Sequence, residues 1–151
     1  MVCVDNNSLY VFGGCGPDGR LSDLHRYDLT TSAWEEMPHD AAIEGRGGAE
    51  LVVVPGRLLV LGGFSGHENN DVHAFDLETQ TWSTVSDDTH LIARSVFCAR
   101  VHECPLHEAC AHSGHIVVYG GETDPSNTGH AGVYHCFDRL NAHKWCCVPE
   151  W

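Results

Sequence analysis

The sequence predicts an all-β chain of three four-stranded antiparallel sheets, and three observations predict it. The 151 residues hold 16 glycines, spread as doublets and turn singles, which favours many short strands and tight turns. An apolar strand running into a glycine pair is written three times, as SLYVFGG (Ser8 to Gly14), RLLVLGG (Arg57 to Gly63) and HIVVYGG (His115 to Gly121). No long stretch carries the 3.6-residue apolar period of an amphipathic helix; LHEACA leaves room for one helical turn.

Each sheet reads as strand, hairpin, glycine-ended strand, long loop, strand, turn, strand. The first repeat opens with MVCV, turns at Asp5-Asn6-Asn7 and continues as LYVFGG, so it begins in mid-sheet with no lead-in. The middle repeat gives AELVVV (Ala49 to Val54), a Pro55-Gly56 turn, RLLVLGG, a polar loop at SGHENN, then VHAFDL and TWSTV. After each glycine pair comes an aromatic-Asp step and then a tryptophan, in YDLTTSAW, FDLETQTW and FDRLNAHKW. Asp28 and Asp76 lie six residues before Trp34 and Trp82, and Asp138 lies seven before Trp145. The units span 1–38, 46–86 and 94–149, the third with an insertion at 103–114.

Each recurring residue has a physical reason. The pairs Gly13-Gly14, Gly62-Gly63 and Gly120-Gly121, ending an inner strand, allow close backbone approach and positive φ. The tryptophans and aromatics bury large areas between adjacent twisted sheets, and the aspartates accept hydrogen bonds from turn amides. All of these residues build scaffold.

Successive glycine pairs are 49 and 58 residues apart, whereas Arg46 of GRGG and Arg94 of ARSV are 48 apart, so the surplus lies between Arg94 and Gly120. Without it the period is near 50, the length of the kelch repeat, one four-stranded blade of a β-propeller. The chain closely resembles the kelch family over almost its whole length. That resemblance implies a propeller of which three blades are present, because three blades leave two raw sheet faces. The expectation is a fragment of a six- or seven-bladed protein, or else half of a ring completed by a second copy.

Composition narrows the partners. The formal net charge of −13 repels phosphate backbones and anionic lipid surfaces, so nucleic acid and membrane lose plausibility and a basic protein partner gains it. The start of the chain lacks the basic head and apolar stretch of a secretion signal, which points to the cytosol, with the nucleus as the alternative. The eight cysteines are expected as free thiols, since their spacing is irregular and the compartment reducing.

Three segments could carry chemistry. The insertion ECPLHEACAHSG holds Cys104, His107, Cys110 and His112, which have the donor types of a tetrahedral zinc site but not the spacing of a zinc ribbon or finger; the other reading is a hairpin extension. Arg46 and Arg94 open two successive repeats. They either face a central channel and bind a sulfate or carboxylate, or make structural bonds to backbone carbonyls near the inner strand. The stretch GGETDPSNTGHAGVYHCFD, with ARSVF, resembles the corresponding part of the nitrile-specifier and epithiospecifier-like kelch proteins. That resemblance implies an Fe(II) site in a loop at the propeller mouth, with Glu122, Asp124 and His130 as ligands, acting on glucosinolate aglycone-type substrates. Ser126 stands where the subfamily motif has Asp, and a serine hydroxyl is a poor ligand for that ion. His25, His73 and His135 near the blade aromatics are expected as satisfied strand residues.

The sequence contains no Gly-x-Ser-x-Gly elbow, His-Glu-x-x-His pair or glycine-rich phosphate cradle. The expected function is a protein-interaction platform. An Fe(II)-assisted specifier-like enzyme is the alternative, and a truncated product that never closes is the second alternative.

Overall fold

The structure is a computed structural model that describes residues 2–86, 92–103, 114–123, 133–136 and 145–147. The described residues form twelve strands in three four-stranded antiparallel sheets, with no helix among them. Blade 1 is β1 (Val2–Asp5), β2 (Ser8–Gly16), β3 (Gly19–Asp28) and β4 (Ala33–Glu36). Blade 2 is β5 (Glu50–Val54), β6 (Arg57–Phe64), β7 (Glu68–Asp76) and β8 (Thr81–Ser86). Blade 3 is β9 (Cys98–Glu103), β10 (Gly114–Tyr119), β11 (Val133–Cys136) and β12 (Trp145–Cys147). Within each sheet, strands adjacent in sequence are adjacent in space.

Turn chemistry sets the hairpins. The β1–β2 ladder closes at Asp5 opposite Ser8, with Asn6 at φ 47°, and the β5–β6 ladder closes at Val54 opposite Arg57, with Gly56 at φ 74°. At the far turns Asp28 Oδ1 accepts the amides of Thr30 (2.8 Å) and Thr31 (3.0 Å). Asp76 Oδ1 likewise accepts those of Glu78 (3.1 Å) and Thr79 (2.9 Å). These amide hydrogen bonds lower the pKa of both carboxyls.

In blades 1 and 2 the glycine pairs do not end their strands, whereas β10 of blade 3 stops at Tyr119, just before Gly120-Gly121 as expected. The register shifts between Phe12 and Gly14, and again between Leu61 and Gly63, so each pair forms a bulge inside the strand. Beyond it the ladder resumes, as Cys15 opposite Arg20 and Phe64 opposite Glu68. The long loop expected after each pair is therefore only a short connection in blades 1 and 2. Adjacent blades approach through β1 and β5, and through β5 and β9, while the glycine pairs of blades 1 and 2 sit on the second strand of their sheets.

Strand alternation gives each side of β6 to a different neighbour. Leu58 and Val60 join Tyr10, Phe12, Leu24 and Leu51 in one core between blades 1 and 2. Leu59 and Leu61 join Val72, Phe97, Ile116 and Val118 in another between blades 2 and 3. A strand covered on both faces needs apolar residues at every position, which is why RLLVLGG shows no polar alternation. The blades stack in a row that the described residues do not close into a ring.

The tryptophans diverge. Trp82 lies 5.6 Å from Phe12 of blade 1 and 5.1 Å from Phe75 of its own blade, and its indole N–H donates to the Pro38 carbonyl at 2.8 Å. It joins two blades. Trp34 is 59 % exposed, and its ring contact among the described residues is with Tyr27 of its own sheet, 4.9 Å away. Trp145 lies in β12, with its side chain outside the described ones.

Candidate functional site at the glycine-pair end

The blade junctions are built on Arg46 and Arg94. The Arg46 amide donates to the Leu21 carbonyl (2.9 Å), and its own carbonyl accepts the Gly14 amide (3.0 Å), which ties this lead-in to blade 1. Its side chain turns the other way, into blade 2. There Nη1 donates to the Gly62 carbonyl at 3.1 Å, and the guanidinium takes both oxygens of Asp71, with Nη2 to Oδ2 at 3.0 Å. Arg94 repeats the backbone pattern one blade on, its amide donating to Asn69 (3.0 Å) and its carbonyl accepting from Gly63 (2.9 Å). Its Nη1 donates to the Gly120 carbonyl at 2.7 Å.

Both arginines are interior: Arg46 is 1 % exposed and Arg94 fully buried. The Arg46 donors meet the Gly62 carbonyl and the Asp71 carboxylate, and Arg94 Nε and Nη1 meet the Ile92 and Gly120 carbonyls. The glycines make room for the arrangement. A Cβ on Gly62 would lie 2.9 Å from the Arg94 carbonyl oxygen, and one on Gly63 would lie 2.5 Å from Ala49 Cβ, at φ values of 52° and 101°. Gly13, Gly14, Gly120 and Gly121 also have positive φ.

Asp71 is the partner that sequence reasoning missed. Its carboxylate accepts from His73 Nε2 at 2.7 Å as well as from Arg46. Burial alone would raise its pKa, but the hydrogen bonds from His73 and Arg46, with the charge of Arg46, outweigh that and hold it at about 2. The signal was present as an Asp-x-His step, Asp23-Leu24-His25 and Asp71-Val72-His73, spaced 48 residues apart like the two arginines. In blade 1, His25 Nε2 lies 2.9 Å from Asp23 Oδ2.

Above the junctions lies a cleft of about 330 Å³ lined by Cys15, Arg20, Phe64, Glu68, Val96 and Glu122, among others. The Arg20 guanidinium carbon is 4.4 Å from the Phe64 ring centre, which leaves the cation over an apolar wall. Ser95 and Glu122 exchange backbone hydrogen bonds of 2.9 and 2.8 Å, and Ser95 Oγ donates to Glu68 Oε1 at 3.2 Å. Glu68 Oε2 is buried and has no hydrogen-bond donor among the described residues. Val96 is 67 % exposed at a φ of 53°, a conformation that is strained for a β-branched side chain.

Glu122 thus stands at the cleft, while Asp124 and His130 lie outside the described residues, as do Cys104, His107, Cys110 and His112. Among the described residues no group of three or more His, Cys, Asp or Glu side chains could hold a metal ion. Cys3, Cys15 and Cys98 are free thiols; burial, followed by the charges of Asp5 and Glu50, pushes the Cys3 pKa up to about 12.

Stacked four-stranded meanders with glycine bulges and an arginine at each junction define blades of a β-propeller. The family model described as KLHDC2/KLHL20/DRC7 Kelch-repeats domain matches residues 1–121, and the chain belongs to the kelch-repeat family. It is 25 % identical over 164 residues to Kelch domain-containing protein 2 of Bos taurus, covering 95 % of this chain and 40 % of that protein. It is 28 % identical over 153 residues to N-(sulfonatooxy)prop-2-enimidothioate sulfolyase of Thlaspi arvense, covering 85 % of this chain and 40 % of that protein. The chain therefore spans about two-fifths of the length of these curated relatives.

Proposed function

We propose that the chain is a protein-interaction module whose cleft at the glycine-pair end receives a basic segment of a partner. The observation that carries this reading is Glu68 Oε2, a buried acceptor without a donor among the described residues, beside a cleft with apolar walls. A buried carboxylate oxygen left without a donor is costly, and a partner's ammonium, guanidinium or amide N–H would supply one. The net charge of −13 favours the encounter. The strained, exposed Val96 at the rim adds an apolar contact beside the charge.

The test compares Glu68→Gln and Val96→Ser with the parent chain against an array of basic peptides. Peptides that bind the parent should lose about tenfold in affinity with Glu68→Gln, the scale of one charge-assisted hydrogen bond. Their affinity should also fall as salt is raised. Equal binding by all three proteins refutes the cleft as the docking place.

A second reading draws on the position of Glu122 at the cleft and on the similarity to the Thlaspi arvense sulfolyase. In it the chain is an Fe(II)-assisted enzyme acting on glucosinolate aglycone-type substrates, with Glu122, Asp124 and His130 as ligands. Two carboxylates and an imidazole suit Fe(II), but a single carboxylate is all that the described part of the cleft contributes from that set. An anaerobic Fe(II) titration separates the two readings. The interaction module gives no saturable micromolar binding, whereas binding that is abolished by the double variant Glu122→Ala/His130→Ala selects the enzyme.

A further inference from the structure

The cleft presents opposite charges from neighbouring blades, and strand register shows that the two hold one place in the repeat. Beyond the bulge of blade 1, Gly14 pairs with Leu21 and Cys15 with Arg20; beyond that of blade 2, Gly63 pairs with Asn69 and Phe64 with Glu68. Arg20 and Glu68 are therefore equivalent positions with the charge reversed. Each leans onto the blade that follows. The Arg20 guanidinium carbon lies 4.4 Å from the ring centre of Phe64, and Glu68 Oε1 accepts from Ser95 Oγ at 3.2 Å. Both contacts are made at blade 2, which has a described blade on either side.

Arg20 stands apart from the other described arginines. Acidic residues outnumber basic ones 21 to 8 in this chain. Arg26, Arg46, Arg57 and Arg100 each meet a carboxylate, and Arg94 donates to the Ile92 and Gly120 carbonyls. Arg20 is exposed, and among the described residues no carboxylate is within ion-pair reach of it, although Glu68 and Glu122 line the same cleft. Its contact with the face of Phe64 uses none of the five guanidinium N–H donors.

We propose that the cleft recognises a charge pair: an extended partner segment carrying an acidic side chain for Arg20 two residues away from the basic side chain for Glu68. The inference rests on the reading of the cleft as the docking place and adds to it a second contact and a spacing. A carboxylate meets a guanidinium through a forked pair of N–H donors, which fixes orientation as well as charge. The spacing comes from strand geometry. Phe64 is both the wall under the cation and the ladder partner of Glu68, so the two charges are separated by one strand spacing plus a side-chain offset, on the order of 7 Å. On an extended segment that is the rise from residue i to i+2. Those two side chains share a side, whereas i and i+1 point to opposite sides.

Three peptides, capped at both ends so that side chains alone carry charge, are titrated into the 151-residue protein. The first is Ac-Ala-Glu-Ala-Arg-Ala-amide. The second has the same composition out of register, Ac-Ala-Ala-Glu-Arg-Ala-amide, and the third keeps the base alone, Ac-Ala-Gln-Ala-Arg-Ala-amide. Each is also made in reverse order, and the tighter order is compared. The first peptide should bind about three- to tenfold more tightly than either control, the scale of one charge-assisted contact at a partly exposed site. Arg20→Gln, a change of an exposed side chain, should erase that advantage and leave the base-only peptide unaffected, whereas Glu68→Gln should weaken all three. The charge pair is overturned if the first two peptides bind the parent protein with equal affinity, or if Arg20→Gln leaves the advantage intact. If the base-only peptide still loses affinity with Glu68→Gln in that case, the cleft stands without the second contact; if no peptide responds to either variant, both fall together.

Discussion

Asp71 is the residue whose ionisation matters most to the blade junction. Its carboxyl is held at about 2 against an ordinary 3.8, so the native state favours the charged form. A depressed carboxyl stabilises the fold fully above its unfolded pKa, and that contribution disappears as pH falls through the native value. The parent chain should therefore lose about 2 kcal/mol of stability between pH 4 and pH 2 from this group alone. Denaturant melts at several pH values check this, because Asp71→Asn should flatten that part of the profile. Arg46 and Arg94 were legible in the sequence as a 48-residue repeat, with backbone carbonyls as one expected set of acceptors, but the Asp71 carboxylate was not foreseen. Asp71 lies 25 residues from Arg46, and only the fold of the blade brings the two together.

At the scale of elements, the two described tryptophans make opposite predictions from one motif. Trp82→Ala removes ring contacts to Phe12 and Phe75 and leaves the Pro38 carbonyl without its donor, so it should cost about 3 kcal/mol. Trp34→Ala removes an exposed ring from the surface of its own sheet and should cost less than about 1 kcal/mol. Equilibrium unfolding of the two variants decides it, and equal losses would mean that the exposed tryptophan has a covering partner. The motif told where each tryptophan stands on its strand. It could not tell which of them meets a neighbouring sheet, because that depends on what lies beyond blade 1. Strand identity was likewise legible from apolar runs and turn residues. The bulges were not, since a glycine pair fits a strand end as well as a kink within a continuing ladder.

For the whole molecule, the two cores make two seams that can be loosened separately. Val60 and Leu61 are neighbours and both fully buried, yet Val60 belongs to the seam of blades 1 and 2, and Leu61 to that of blades 2 and 3. Val60→Ala should increase hydrogen exchange at Tyr10 and Phe12, whereas Leu61→Ala should increase it at Phe97 and Ala99, each at a cost of roughly 1 to 4 kcal/mol. Exchange rising equally across both seams in both variants would show a single cooperative unit instead. Adjacent positions on β6 thus answer to different neighbours. Sliding that strand by one residue would hand each seam the other's side chains, Leu59 and Leu61 arriving where Leu58 and Val60 belong. The kink at Gly62-Gly63 is where such a slide must stop, so the paired glycines act as a ratchet tooth that keeps alignment as well as making room for the backbone that crosses at Ala49 and Arg94.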